Sequence, residues 1–318
     1  MPVQIWGKRM VVYRTSTGQF TALDDRCAHR KVALSKGTLR GCEIVCPYHG
    51  WGFGPDGRCS SIPYWPPNQS LPGVKLGVYP VRLRDGILWV FPGNPDEAAR
   101  VAIPDASDVH ENPDWVAFKL DRLFKNHFAI GVINGMDYYH FHLHRKYQPW
   151  SRIAISNVQR TPESVSGEYK ISTKRGFASN LFRRLINAGE GEVVENTLRV
   201  YYHYPHHKAE IGDEMRVWVF FQPMDAFSVK VFITMYIRAR GISRIWRTLF
   251  QPAFHRLVLD NIQEEDAWIG ELEQQAWTQA PYEDRCEINP ISSAVQQLIV
   301  HKWKSRSENL VAIDSLTV

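Results

Sequence analysis

A chain of 318 residues, 44% hydrophobic and 22% charged, has room for two domains with separate cores and is too apolar to be disordered. Its formal charge of +5 comes from scattered Lys and Arg, which suit an acidic protein partner as well as nucleic acid, and no zinc finger or recognition helix accompanies them. Five cysteines are too few for a disulfide scaffold, and no apolar run approaches the roughly 18 residues of a membrane-spanning helix.

The N-terminus lacks the apolar core and cleavage site of a signal peptide, so a cytoplasmic protein is expected, with no membrane and no nucleic acid among its partners. From residue 6 to about residue 92 the pattern is all-β. Lys8–Tyr13, Gln19–Leu23, Glu43–Val45, Val78–Leu83 and Ile87–Phe91 are short apolar or β-branched runs, separated by turn residues that include Asp56-Gly57 and Asp85-Gly86. Phe91-Pro92-Gly93-Asn94-Pro95-Asp96-Glu97 reads as a boundary, giving domains 1–97 and 98–318. Beyond it, residues 125–145 are expected to carry a helix. Ser164–Thr173, Val193–Tyr204, Met215–Pro223 and Phe227–Arg238 are expected strands, and a long helix runs from Phe254 to Trp277. The fold class is therefore α+β: an N-terminal all-β domain, then an antiparallel sheet packed against helices.

Two Cys–His pairs stand in the β-rich part. Cys27-Ala28-His29 is followed, after 16 residues, by Cys46-Pro47-Tyr48-His49. Two thiolates and two imidazoles on loops between strands suit a Rieske 2Fe–2S centre, in which two histidines replace two cysteines on one iron. Zinc accepts the same donors, but zinc fingers place both cysteines before both histidines, and here the order alternates. A zinc-binding interaction module is thus the rival from a different functional class. Cys42 and Cys59 read as buried small hydrophobes near the cluster, and Gly50 and Gly52 as points where backbone N–H groups approach its sulfurs.

A second ligand group lies in Asn134-Gly135-Met136-Asp137-Tyr138-Tyr139-His140-Phe141-His142-Leu143-His144. On a helix, His140 and His144 fall about 40° apart, with His142 about 160° away on the other face. Two imidazoles from one helix make two-thirds of the facial triad that holds non-haem iron(II) with open positions for O2. The missing carboxylate is sought in the late helix. Asp266, followed by a run expected to be buried (Ala267-Trp268-Ile269), is preferred to Glu264 and Glu265, with Asp260 as its rival. Taken alone, the two histidines also read as a satisfied core pair. His203, His206 and His207 read as loop or pocket lining at a strand end. Trp150, Phe177, Phe182 and Phe220 suit an apolar pocket or ordinary core. Arg183 and Arg184 read as a solvated face or as partners of a substrate carboxylate.

Taken together, Cys27-Ala28-His29-Arg30, Val45-Cys46-Pro47-Tyr48-His49-Gly50-Trp51, Asn134-x2-Asp137-x2-His140 and Glu265-Asp266-x4-Glu271 resemble the oxygenase α subunit of the Rieske non-haem iron oxygenases along nearly the whole chain. The resemblance implies that Cys27 and Cys46 hold one cluster iron and His29 and His49 the other. It further implies that His140, His144 and Asp266 hold a mononuclear iron, and that Asn134 and Asp137 serve catalysis. The histidine spacing is the shorter one of the carbazole-type, α-only members. A helix-grip (START-like) catalytic domain is implied, as are electrons from a ferredoxin or an NAD(P)H-dependent reductase, O2, and an apolar or aromatic small-molecule substrate. Mono-oxygenation is favoured over cis-dihydroxylation, dealkylation and oxidative cyclisation. In the family the aspartate matching Asp137 bridges a cluster histidine of one subunit to an iron histidine of its neighbour, through the non-ligating nitrogen of the residue matching His140. That role implies a homotrimeric ring; a plain helix-face charge is the other reading of Asp137.

Overall fold

Short alternating runs and frequent turns build the first hundred residues from strands, while longer β-branched runs and two helical patterns build the rest. The computed structural model describes residues 1–147, 150–173, 195–239, 245, 249, 251–279 and 286–314. It divides into two units, Met1–Ser107 and Asp108–Val318.

The first unit contains β1 (Pro2–Ile5), β2 (Lys8–Arg14), β3 (Phe20–Asp24), β4 (Thr38–Arg40), β5 (Glu43–Val45), β6 (Gly52–Phe53), β7 (Cys59–Ser61), β8 (Val78–Tyr79), β9 (Val81–Arg84) and β10 (Ile87–Val90). They form antiparallel sheets in the orders β1-β2-β3-β8 and β4-β5-β6-β7, with β9 and β10 as a separate hairpin. The run Val78–Leu83 is split at Pro80, which has no N–H for a ladder. Asp85 and Gly86 both have positive φ (52° and 69°), the geometry that a two-residue hairpin turn between β9 and β10 requires. The core gathers Val11, Tyr13, Leu23, Leu34, Ile44, Phe53 and Leu76, together with Cys27 and Cys46.

The second unit is a seven-stranded antiparallel sheet of β11 (Trp115–Phe124), β12 (Trp150–Arg160), β13 (Ser164–Thr173), β14 (Glu195–His203), β15 (His206–Ile211), β16 (Met215–Asp225) and β17 (Ser228–Arg238). The spatial order is β11-β17-β16-β15-β14-β13-β12. Helix Phe128–Met136 packs against both Asp260–Gln279 and Pro290–Asp314, and all three lie on this sheet. A π-helical stretch, His255–Leu259, opens the Asp260–Gln279 helix. This is the α+β architecture expected, with β11, β12 and β15 added to the four expected strands.

The helix expected over 125–145 is not continuous. Phe128–Met136 is α-helical and Tyr138–His142 is a 3-10 turn, with Asp137 between them in extended backbone (φ −91°, ψ 91°). The Asp137 carboxylate accepts the Tyr139 N–H at 2.9 Å and so caps the new turn. Asn289, at the start of the last helix, donates to the same oxygen at 2.7 Å. It also donates to the Tyr169 hydroxyl at 2.9 Å, and Tyr169 in turn donates to the Met136 carbonyl at 2.8 Å. Three buried or half-buried groups therefore satisfy the backbone where the helix stops.

Candidate metal centres

The two Cys–His loops share one backbone construction. The Cys27 N–H donates to the Val32 carbonyl (2.8 Å) and the Cys46 N–H to the Trp51 carbonyl (2.9 Å). The cysteine carbonyls then accept from the N–H four residues on, Lys31 (2.9 Å) and Gly50 (3.1 Å). Both closing residues are left-handed, with φ of 60° at Lys31 and 69° at Gly50. The Gly50 N–H thus goes to the Cys46 carbonyl rather than to a sulfur, and Gly52 lies in β6. A Cβ at Gly50 would sit 2.6 Å from Pro63 Cγ, so the turn needs glycine for space as well as conformation.

These loops pair the donors by type. Cys27 and Cys46 are 2% and 3% exposed, with their thiols side by side, while His29 and His49 lie on the water side with ring centroids 4.7 Å apart. Burial raises the Cys27 thiol above its ordinary range, and the neighbouring Cys46 adds to this. Trp51 stacks on His29 at 5.1 Å and 13°, holding that ring in place. Two adjacent thiols and two adjacent imidazoles on rigid loops fit a cluster of the Rieske type. Cys59 is buried as expected; Cys42 is not, its Sγ lying 3.4 Å from the Ser16 hydroxyl, and neither forms a disulfide.

In the second unit His140, His144 and Asp266 converge, their ligating atoms all within 4.8 Å of one another. The 3-10 turn that carries His140 and the turn after it that carries His144, rather than the expected helical face, set the two rings 5.1 Å apart and perpendicular. His144 Nε2 is 3.0 Å and His140 Nε2 3.5 Å from the same oxygen, Asp266 Oδ1. The other nitrogen of each ring has its own acceptor: the Asp137 carbonyl for His140 Nδ1, and the Glu265 carboxylate at 2.7 Å for His144 Nδ1. With a metal bound, each Nδ1 would keep its proton on these acceptors and each Nε2 would turn its lone pair to one point, the tautomer arrangement of metal-binding histidines. Asn134 donates to Asp266 Oδ1 at 3.1 Å and orients it.

The electrostatics follow from burial and charge. Burial opposes the charged form of all three groups. For His140 it prevails and holds the imidazole below its ordinary range, whereas the hydrogen bonds and charges of Asp266 and Glu265 lift His144 above it. Asp266 is held low against burial by His144 and His140. A divalent cation among the three would relieve the repulsion and supply the missing charge.

Asp266 reaches the site by helix phase and not because its flank is buried: Trp268 is 56% exposed, while Ile262, Gln263, Asp266 and Gly270 share the inward face. Asp260 lies outside, paired with His255 at 3.2 Å, and His142 is exposed. The reading from sequence weighed Glu265 only as a rival ligand, not as the partner of His144, and missed Asn289; the partners of both lie more than a hundred positions away.

A cavity of about 170 Å3 adjoins the metal-binding groups. Alternate residues of β16 and β17 line it, among them Val219, Phe221, Val231 and Ile233. Phe220 belongs to the opposite face and packs edge-on against His206, so Phe221 is the aromatic wall instead. His206 and His207 begin β15 rather than ending a strand. The side chain of Trp150, and Phe177, Phe182, Arg183 and Arg184 altogether, lie outside the described residues.

Comparison with known proteins agrees with this geometry. Residues 1–80 match the Rieske [2Fe-2S] domain model. The 4beta-methylsterol monooxygenase of Methylococcus capsulatus is 28% identical over 317 residues, covering 97% of this chain and 85% of that protein. The oxygenase component of Mycolicibacterium smegmatis 3-ketosteroid-9-alpha-monooxygenase is 35% identical over 120 residues, 37% of this chain and 30% of that protein. Among solved structures, dicamba monooxygenase superposes with a TM-score of 0.80 at 21% identity, covering 98% of this chain and 93% of that one. The terminal oxygenase of Nocardioides aromaticivorans carbazole 1,9a-dioxygenase gives 0.69 at 19% identity, covering 94% and 88%; both likenesses concern the fold. A Rieske domain at one end, a two-histidine one-aspartate site in the antiparallel-sheet unit and these relatives make the chain similar along its length to the Rieske non-haem iron oxygenases, enzymes that depend on a 2Fe–2S cluster and a mononuclear iron.

Proposed function

We propose that this protein is the oxygenase component of a monooxygenase acting on an apolar, ring-bearing small molecule. The overall change is RH + O2 + 2e⁻ + 2H⁺ → ROH + H2O, with the electrons coming from a ferredoxin or an NAD(P)H-dependent reductase. The observation that carries the reading is the convergence of two correctly oriented Nε2 atoms and one carboxylate at the edge of an apolar cavity. When bound, the cluster stores single electrons and the mononuclear iron activates O2.

The chain's own residues do the rest. Cys27, His29, Cys46 and His49 are assigned to the cluster, and His140, His144 and Asp266 to the iron. Asn134 steadies the carboxylate, and the Asp137 carbonyl and Glu265 set the imidazole tautomers. Val219, Phe221, Ile233 and their neighbours hold an apolar substrate and keep bulk water away. Asp137 is assigned the bridge to a cluster histidine of a neighbouring chain in a cyclic homotrimer, with its backbone carbonyl on His140 Nδ1 and its carboxylate as the part directed to the neighbour, and the domains 1–97 and 98–318 are assigned to cluster and iron.

The test is metal and sulfide analysis of the isolated protein, followed by reductase-coupled O2 uptake against a panel of ring compounds. About three irons and two acid-labile sulfides per chain are expected. Asp266→Ala should lose only the mononuclear iron, and Asp260→Ala should lose none. One zinc and no sulfide would refute the assignment in favour of a zinc-binding interaction module.

A further inference from the structure

His207 is a buried histidine of the metal-binding cavity that no role above uses. It is 3% exposed, and neither ring nitrogen has a hydrogen-bond partner among the described residues. Buried polar groups are nearly always satisfied, because leaving one unbonded carries its full desolvation cost. An orphan of this kind inside a cavity marks the place of a group that arrives from outside.

Its position says what that group is. On β15, His207 lies beside Val219 of β16, which lies beside Ile233 of β17; all three line the cavity shared with His140, His144 and Asp266. Facing it is Gly135, next to Asn134: a Cβ there would stand 3.3 Å from His207 Nδ1. The ring nitrogens are not among the atoms that converge on the metal position. Gln263, on the helix that carries Asp266, also lines the cavity with its Nε2 unpartnered. No Lys or Arg lines the cavity among the described residues, so a carboxylate beside His207 meets no cationic side chain. An imidazole enclosed by apolar side chains is neutral and offers one N–H and one lone pair. A hydroxyl matches both and a carbonyl matches the N–H.

Building on the monooxygenase reading, we propose that His207 is a specificity-determining residue that holds a neutral hydroxyl or carbonyl oxygen of the substrate. The molecule oxidised is then an apolar ring compound that already carries one such oxygen, and not a bare hydrocarbon or a carboxylate.

The experiment is equilibrium binding to the isolated holoenzyme, by calorimetry and thermal shift, of matched sets. These are indane, 1-indanol, 1-indanone and indane-1-carboxylate; biphenyl, 4-phenylphenol and biphenyl-4-carboxylate; and a steroid hydrocarbon with its ketone and alcohol. In at least one set the alcohol or ketone should bind about ten-fold more tightly than the hydrocarbon. His207→Leu should erase that preference without weakening hydrocarbon binding, and His207→Gln, which keeps a donor and an acceptor, should retain most of it. The proposal is overturned if no neutral oxygenated member binds, if a hydrocarbon or carboxylate binds best, or if the preference survives His207→Leu. Iron, sulfide and coupled O2 uptake measured on the same samples judge the monooxygenase reading separately. A preference without metals would refute that reading alone, and metals without a preference would refute the role of His207 alone.

Discussion

Replacing Glu265 by Ala should loosen the mononuclear iron while leaving the cluster untouched. His144 is fully buried, and its Nδ1–H has one acceptor, the Glu265 carboxylate at 2.7 Å. Removing that acceptor strands an N–H in a dry site, at a cost of about 1–3 kcal/mol. Carboxylate partners of metal-binding histidines are worth about 10- to 100-fold in metal affinity, or about 1.4–2.7 kcal/mol, so two independent routes reach the same size. Glu265→Gln keeps an acceptor oxygen without the charge and should lose about three- to ten-fold. The assay is retention of mononuclear iron during dialysis against graded ferrous chelator, with the visible spectrum of the cluster as internal reference. Wild-type retention by Glu265→Ala across the whole series would show that the contact does not support the ligand.

Three further outcomes are expected. Asp137→Asn keeps an N-capping side chain and should retain both metals, yet lose most turnover and slow the reoxidation of the cluster in the presence of O2; a wild-type rate, or full coupled activity in a monomer, would contradict the bridging role. Gly50→Ala, forced into left-handed backbone against Pro63, should destabilise the protein by about 2–4 kcal/mol in denaturant titration, and unchanged stability would mean that the turn relaxes freely. Burial alone would raise the Asp24 carboxyl, but the Tyr79 hydroxyl (2.6 Å), the Gly77 N–H (3.2 Å) and Arg26 outweigh it and hold the group low. Its stabilisation is therefore present above the unfolded value of about 3.9 and is lost as pH falls through the folded value, so the gap between wild type and Asp24→Asn should shrink on acidification; a gap independent of pH would refute this account.

The chemistry-bearing residues were legible because their types are rare and their spacing local: a thiol two or three positions from an imidazole, and two imidazoles four positions apart. What defeated the reading was tertiary satisfaction. Asp137 suits a helix interior or a cap, and the choice was made by Asn289 and Tyr169, which no local pattern connects to it. β15 begins with His-His-Lys and looks polar, although burial at His207, Ala209 and Ile211 follows the two-residue period that marks a strand. The same period in Val116, Phe118 and Leu120 marks β11, a signal present in the sequence and passed over. Asp266 was chosen over Asp260 on the burial of its flank, yet Trp268 is exposed and helix phase is the operative cause.

The stop between Met136 and Tyr138 also has a consequence in time. The turn that carries His140 is held by Asp137, and Asp137 is held by Asn289, 152 residues later. Synthesis delivers Asn134, His140 and His144 first, then Glu265 and Asp266, and the residue that secures the turn last of all. While the chain is being made, the two histidines have neither their carboxylate nor their clamp, whereas all four donors of the cluster loops lie within the first fifty residues. The order of synthesis thus completes the donor set of the cluster loops long before that of the site in the second unit, whose last support arrives only with Asn289.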